Sequence, residues 1–169
     1  MATELDIEIE GLREVQEKME QVISDLHGPP VLNAMRDATL KVERDAKRFA
    51  PVDTGRLRAS IVPSVALKDN VLEGVVGSNV KYAPYMEFGT GLHTERAMMG
   101  GGGSHFPPSS ALELWAKRHK LPNGFVVART IWRKGGLKPR RFLRQAFEQN
   151  EQYIRNLFDR TIQTIVERK

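Results

Sequence analysis

Four histidines, four consecutive glycines, three serines in open contexts and one run of cations are the residues of this chain whose types could do chemistry. Most of them are in the wrong pattern for it. His27, His93, His105 and His119 show no His-Glu-x-x-His spacing, and the chain has no cysteine to complete a zinc site. Gly100-Gly101-Gly102-Gly103 is not followed by the Gly-Lys-Ser/Thr of a phosphate loop and follows no strong strand, so a flexible linker fits it better. Ser60, Ser64 and Ser104 lie outside any Gly-x-Ser-x-Gly elbow. The carboxylates of residues 1–91 fall mostly on the polar faces of helical patterns, which are solvated positions and not a paired acid/base site. The pattern predicts no catalytic residue, no metal ligand set and no cofactor, and enzymes are the class it disfavours most.

Two groups could act by contact. Arg129, Arg133, Lys134, Lys138, Arg140, Arg141 and Arg144 concentrate positive charge in a short stretch. They suit phosphate contacts, an inter-subunit ion-pair network or a solvated basic face. Several precede or open the last helix, where cations oppose the helix dipole by about a few tenths of a kcal/mol each. A cluster kept there points to an acidic partner. Tyr82, Tyr85 and Phe88 could stack on bases. Beside Pro84 and Gly89 they suit core or interface packing better.

The net charge of +5 hides an asymmetry: residues 1–91 sum to −4, residues 92–144 to +9, and residues 145–169 to zero. An acidic front and a basic middle can face nucleic acid or a neighbouring subunit of opposite charge. The absence of cysteine fits a reducing compartment. No apolar run approaches the roughly 18–20 residues of a membrane span, and the acidic, alternating N-terminus is unlike a secretory signal. At 169 residues the chain predicts a single domain over 1–169.

The elements that must position these residues follow from periodicity. Leu5, Ile7 and Ile9 alternate with acids, a half-buried strand pattern ended by Gly11. Leu12, Val15, Met19, Val22, Ile23 and Leu26 form a helical stripe that stops at His27-Gly28-Pro29-Pro30. A second helix carries Val31, Met35, Ala38, Val42, Ala46 and Phe49 and stops at Pro51. Two such stripes should pack on one another or on a sheet. In Val52-Asp53-Thr54-Gly55 the Asp and Thr side chains can bond nearby backbone, and Gly accepts a left-handed conformation. Leu57–Leu67 and Val71–Gly77 read as strands around Asp69-Asn70, a hairpin with about four connecting residues. Tyr82–Phe88 reads as a short helical turn. Residues 89–108 break the pattern, and Ser110-Ala111-Leu112-Glu113 matches a capping box. Phe125–Arg133 reads as a helix ended by Gly135-Gly136. Pro139 opens a last helix with a long apolar stripe, about 40 Å over 140–167 at 1.5 Å per residue, long enough for part of it to pack on another subunit.

Two motifs stand out. Pro51-Val52-Asp53-Thr54-Gly55-Arg56-Leu57 closes the helix pair, and Tyr82-Ala83-Pro84-Tyr85-Met86-Glu87-Phe88-Gly89-Thr90-Gly91 follows the strand pair. With Pro139-Arg140-Arg141-Phe142-Leu143-Arg144-Gln145-Ala146 opening the last helix, they resemble the tail-completion, or head–tail joining, neck proteins of long-tailed bacteriophages. The resemblance covers 5–91 and 137–169. It implies an α+β fold, a small antiparallel β-sheet flanked by two N-terminal helices and a long C-terminal helix. It implies a non-enzymatic virion protein at the head–tail junction, present in host cytoplasm during assembly. Its implied partners are further copies in a ring (a hexamer or a dodecamer), a stopper or connector above, a terminator or tail tube below, and packaged DNA in transit, with no membrane. Compact family members run almost directly from the Gly91 equivalent to the last helix. Here about 45 residues intervene, so 92–138 reads as an insertion with the glycine loop and a basic helical segment. A loop over Gly91–Pro108 that orders on docking would suit a late-added component. The alternatives are a tail terminator and, in a different class, a basic nucleic-acid-binding module using 117–144.

Overall fold

The computed structural model describes residues 12–69, 71–94 and 105–167. The alternating segment 5–10 and the glycine run 100–103 lie outside them. The order is α1 (Leu12–Leu26), α2 (Pro29–Phe49), α3 (Arg56–Ser60), β1 (Ile61–Lys68), β2 (Val71–Ser78), α4 (Ala83–Phe88), a 3-10 turn (Gly91–His93), α5 (Ser109–Arg118), α6 (Gly124–Arg133) and α7 (Phe142–Glu167). The two strands form an antiparallel hairpin, and the fold is α+β as the sequence predicts.

Local chemistry explains most boundaries. His27 Nδ1 meets the Ile23 carbonyl at 3.0 Å and Gly28 N–H donates to Asp25, so the end of α1 is satisfied before Pro29 opens α2. Gly55 takes φ 79°, and its carbonyl accepts from Ala59 N–H. This corrects the strand expected from Leu57: residues 56–60 make one helical turn, which Ile61 leaves in extended conformation. The turn places Leu57 and Ile61 inward, four residues apart, while Ala59 between them stays exposed. Only two residues separate β1 from β2, not four, and Asp69 adopts the positive φ that tight hairpins need.

The chain forms two compact units whose boundaries fall within α2, β1, β2 and α7. The first comprises Met1–Lys41, Ser64–Val75 and Asn150–Lys169. Among its described residues the buried apolar side chains are Ala34, Ala38 and Ile165. Here β2 lies close on α2. A Cβ on Gly74 would come within 2.5 Å of Met35 Sδ and 2.7 Å of Thr39 Cγ2, so the approach requires glycine. The second unit comprises Val42–Pro63 and Val76–Gln149. Its core includes Ala46, Leu57, Ile61, Ala116, Ala128 and Phe142, mixing small residues that let helices approach with two large anchors.

Within this second unit α5 and α6 form a helical hairpin. Asn123 caps α6, its Oδ1 accepting from Val126 N–H at 3.1 Å. The capping box expected at Ser110 is not formed: α5 begins at Ser109 without a side-chain cap. Glu113 instead turns to the neighbouring helix and accepts from Gly124 N–H at 2.7 Å. A Cβ on Gly124 would sit 2.1 Å from the Ser109 carbonyl oxygen, so this crossing too needs glycine.

Candidate assembly interface

The motif around Glu87 and the segment that opens α7 are one structure. Glu87 is 4% exposed, and its carboxylate accepts from Leu143 N–H and Arg144 N–H, both at 2.9 Å. It therefore caps α7 from a distant part of the chain and sets negative charge at the positive end of the helix. The backbone carbonyls of Met86 and Glu87 accept from Arg140 and Arg141. Thr90 N–H donates to Leu137, Leu137 N–H donates back to Thr90 Oγ1 at 2.9 Å, and Leu92 N–H donates to Gly135. Glycine is required where the strips touch: a Cβ on Gly91 or Gly136 would lie 2.2 or 2.1 Å from a facing carbonyl oxygen. The dipole penalty expected of Arg140, Arg141 and Arg144 is thus offset by a buried carboxylate.

Asp53 and Thr54 divide the roles expected of them. Thr54 Oγ1 faces Arg56 N–H at 3.5 Å, a long contact within the turn. Asp53 reaches across to α5, where Arg118 donates to Oδ2 at 2.5 Å and His119 Nε2 lies 3.2 Å from Oδ1. Its hydrogen bond to the Arg118 guanidinium, seconded by His119, holds the Asp53 carboxyl below the usual carboxylate range. The Trp115 ring lies tilted against that of His119, centroids 4.1 Å apart. Pro51 and Gly55 are partly buried, flanking this clasp. Arg118 and His119 were not legible as partners, because no local pattern links 53 to 118.

Arg129, Arg133, Lys134, Lys138, Arg140, Arg141 and Arg144 are all exposed. Arg129 and Arg133 share the outer face of α6, opposite the buried Val127 and Ala128. Tyr82, Tyr85 and Phe88 are exposed and not core; α4 buries Ala83 and Glu87, with Pro84 in its first turn and Gly89 at φ 74° after its end. Tyr85 stacks on His105 with centroids 6.3 Å apart. An open depression of about 570 Å³ is lined by Arg56, Ser60, Asn79, Lys81 and Tyr82, without a carboxylate or histidine. Among the described residues no group of three or more histidines and carboxylates is placed to hold a metal ion, and no helix is long and apolar enough to cross a membrane.

Residues 13–89 match a family model described as "Bacteriophage HK97-gp10, putative tail-component". They form an HK97-gp10-like segment. No curated protein and no solved structure matches the chain. The segment runs from α1 through the hairpin to the end of α4, and so contains Asp53 and Glu87 but neither of their partner strips. It is the part of the chain that is similar to that tail-component family.

The HK97-gp10-like segment opens on a helix whose apolar stripe the described residues leave exposed. Val15, Met19 and Ile23 of α1 are 54%, 60% and 54% exposed, and Leu26 is exposed too. The expectation that both N-terminal stripes are packed is met by α2, through Ala34, Ala38, Val42 and Ala46, and not by α1. Phe147, Tyr153, Ile162 and Val166 of α7 are also exposed.

Proposed function

We propose that this phage tail or neck protein is a tail-completion, or head–tail joining, component that assembles as a ring around the channel through which DNA leaves the head. The observation that carries the reading is the uncovered apolar stripe of α1, in a segment similar to phage tail components. A monomer rarely leaves so regular an apolar face in water, and subunit association is what removes it. The ring contact is heterologous, with one surface meeting a different surface of the next copy. The exposed cations of 129–144 are subunit-interface or channel-facing groups, and adjacent neck and tail proteins are the other partners. The protein acts by assembly and catalyses no reaction.

Electron microscopy of lysates from a phage or prophage lacking this gene tests the reading. The expected result is DNA-filled heads beside separate tails of normal length. Tails of uncontrolled length would make the protein a tail terminator. Intact infectious particles would exclude both roles and leave a nucleic-acid-binding module as the reading to pursue.

A further inference from the structure

We infer that the ring contact is made by α1 of one copy seated on the outer face of α6 of a second copy. The inference rests on the ring reading and names its two surfaces. The first is the stripe of Val15, Met19, Ile23 and Leu26, all exposed, spaced as one side of a helix. Around it α1 carries Glu14, Glu17, Glu20 and Asp25 against Arg13 and Lys18, so the helix is acidic. The second surface is built of Phe125, Arg129, Trp132 and Arg133, which recur at helical spacing on the exposed side of α6. The ring of the half-exposed Phe106 lies 5.9 Å from that of Phe125 and widens this apolar surface. From Gly124 to Lys134 the chain has three cations and no acid. Aromatic residues interleaved with arginine are the composition that dominates the energetics of protein interfaces.

Charge selects the pairing. Packing α1 on α1 sets acids against acids, and packing α6 on α6 sets arginines against arginines. Only α1 on α6 brings opposite charges together over two apolar faces. Because the two faces differ, each copy offers one and receives the other, as a closing ring requires. Nucleic acid on the α6 face would satisfy its arginines but leave the α1 stripe in water.

The chain has no cysteine, so introduced thiols report one contact each. The full-length Ile23→Cys and Phe125→Cys variants are mixed, oxidised and resolved on a non-reducing gel, with Gln152→Cys as an exposed control. The mixed disulfide should form about fivefold or more faster than either homodimer or any pair with the control, and a chain carrying both thiols should give a ladder of multimers. Arg129→Glu with Arg133→Glu should slow the cross-link about tenfold, and adding Glu17→Lys and Glu20→Lys should restore much of it. Mixed disulfide no faster than control overturns the contact. If sedimentation then still finds a closed oligomer, the ring reading stands and the docking is wrong. A normal ladder from a protein whose deletion leaves phage intact would instead refute the ring role while keeping the contact. Salt-steep binding of a short DNA duplex, lost in the arginine variant and unaccompanied by the cross-link, would assign the face to nucleic acid and overturn the proposal.

Discussion

The two units of this chain bury apolar surface to very different degrees. In Val42–Pro63 with Val76–Gln149, Phe142 and Ile61 are fully buried among alanines, and distant strips are fastened by backbone hydrogen bonds and by the Glu87 carboxylate. In Met1–Lys41 with Ser64–Val75 and Asn150–Lys169, the buried apolar side chains among the described residues are two alanines and Ile165. Val15, Met19, Ile23, Leu67, Val71 and Val166 of that unit lie in water. One unit holds its shape with its own atoms. The other buries little among its described residues, while both expose large apolar side chains, Val15 and Met19 here and Phe125 and Trp132 there, so the difference lies in what each unit buries.

The sharpest way to break this comparison is to empty the core of the second unit. Phe142→Ala should lower unfolding free energy by about 3–5 kcal/mol, read from a urea midpoint, because a fully buried aromatic leaves a cavity. A loss below about 1 kcal/mol would mean that this unit is no better packed than the other. Removing the cap of α7 comes next. Glu87→Ala deprives Leu143 and Arg144 N–H of their acceptors and should cost about 2–3 kcal/mol, with Glu87→Gln retaining part of the difference. The contrasting substitution is Met19→Ser in α1. It should move monomer stability by less than about 0.5 kcal/mol, since the side chain touches water already. Assembly, measured by sedimentation, should nonetheless suffer, and a large fall in monomer stability would show that α1 is packed after all.

The smallest expected effect is the pH response of the Asp53 clasp. The folded pKa is depressed, so its contribution is present above about pH 4 and fades as pH falls through the lowered value. In a carboxyl titration by NMR, Arg118→Ala should move the Asp53 midpoint up toward the ordinary aspartate range. An unchanged midpoint would show that the ion pair does not form in solution.

Helices with a full apolar stripe were legible because 3.6-residue periodicity survives any tertiary context: α1 and α2 begin and end near their proline and glycine signals, and α7 begins just after Pro139. The turn at 56–60 was misread because Leu57, Ala59 and Ile61 alternate as well as a strand would, and only the left-handed Gly55 commits the backbone to a helix. The capping box at Ser110 failed through competition, since Glu113 found a better donor at Gly124. Sequence identified the Glu87 motif and the Pro139–Ala146 segment as separate signatures. That one caps the other depends on a pairing across about 55 residues, which spacing does not encode. Exposure of the α1 stripe was invisible for the opposite reason, because an apolar face looks the same in sequence whether its partner is the same chain or another.

The pairing of Thr90 with Leu137 and of Leu92 with Gly135 has a consequence for how this protein can change over generations. Those bonds bring the two ends of 93–134 together, so the chain between them leaves and returns through a stem already closed. Lengthening such an excursion is cheap, about 0.6 kcal/mol for each doubling by loop-closure entropy alone. The stem therefore leaves the surface loops of this excursion free to change length over generations, while Ala116, Ala128 and the Asp53 clasp hold α5 and α6 to the core of their unit.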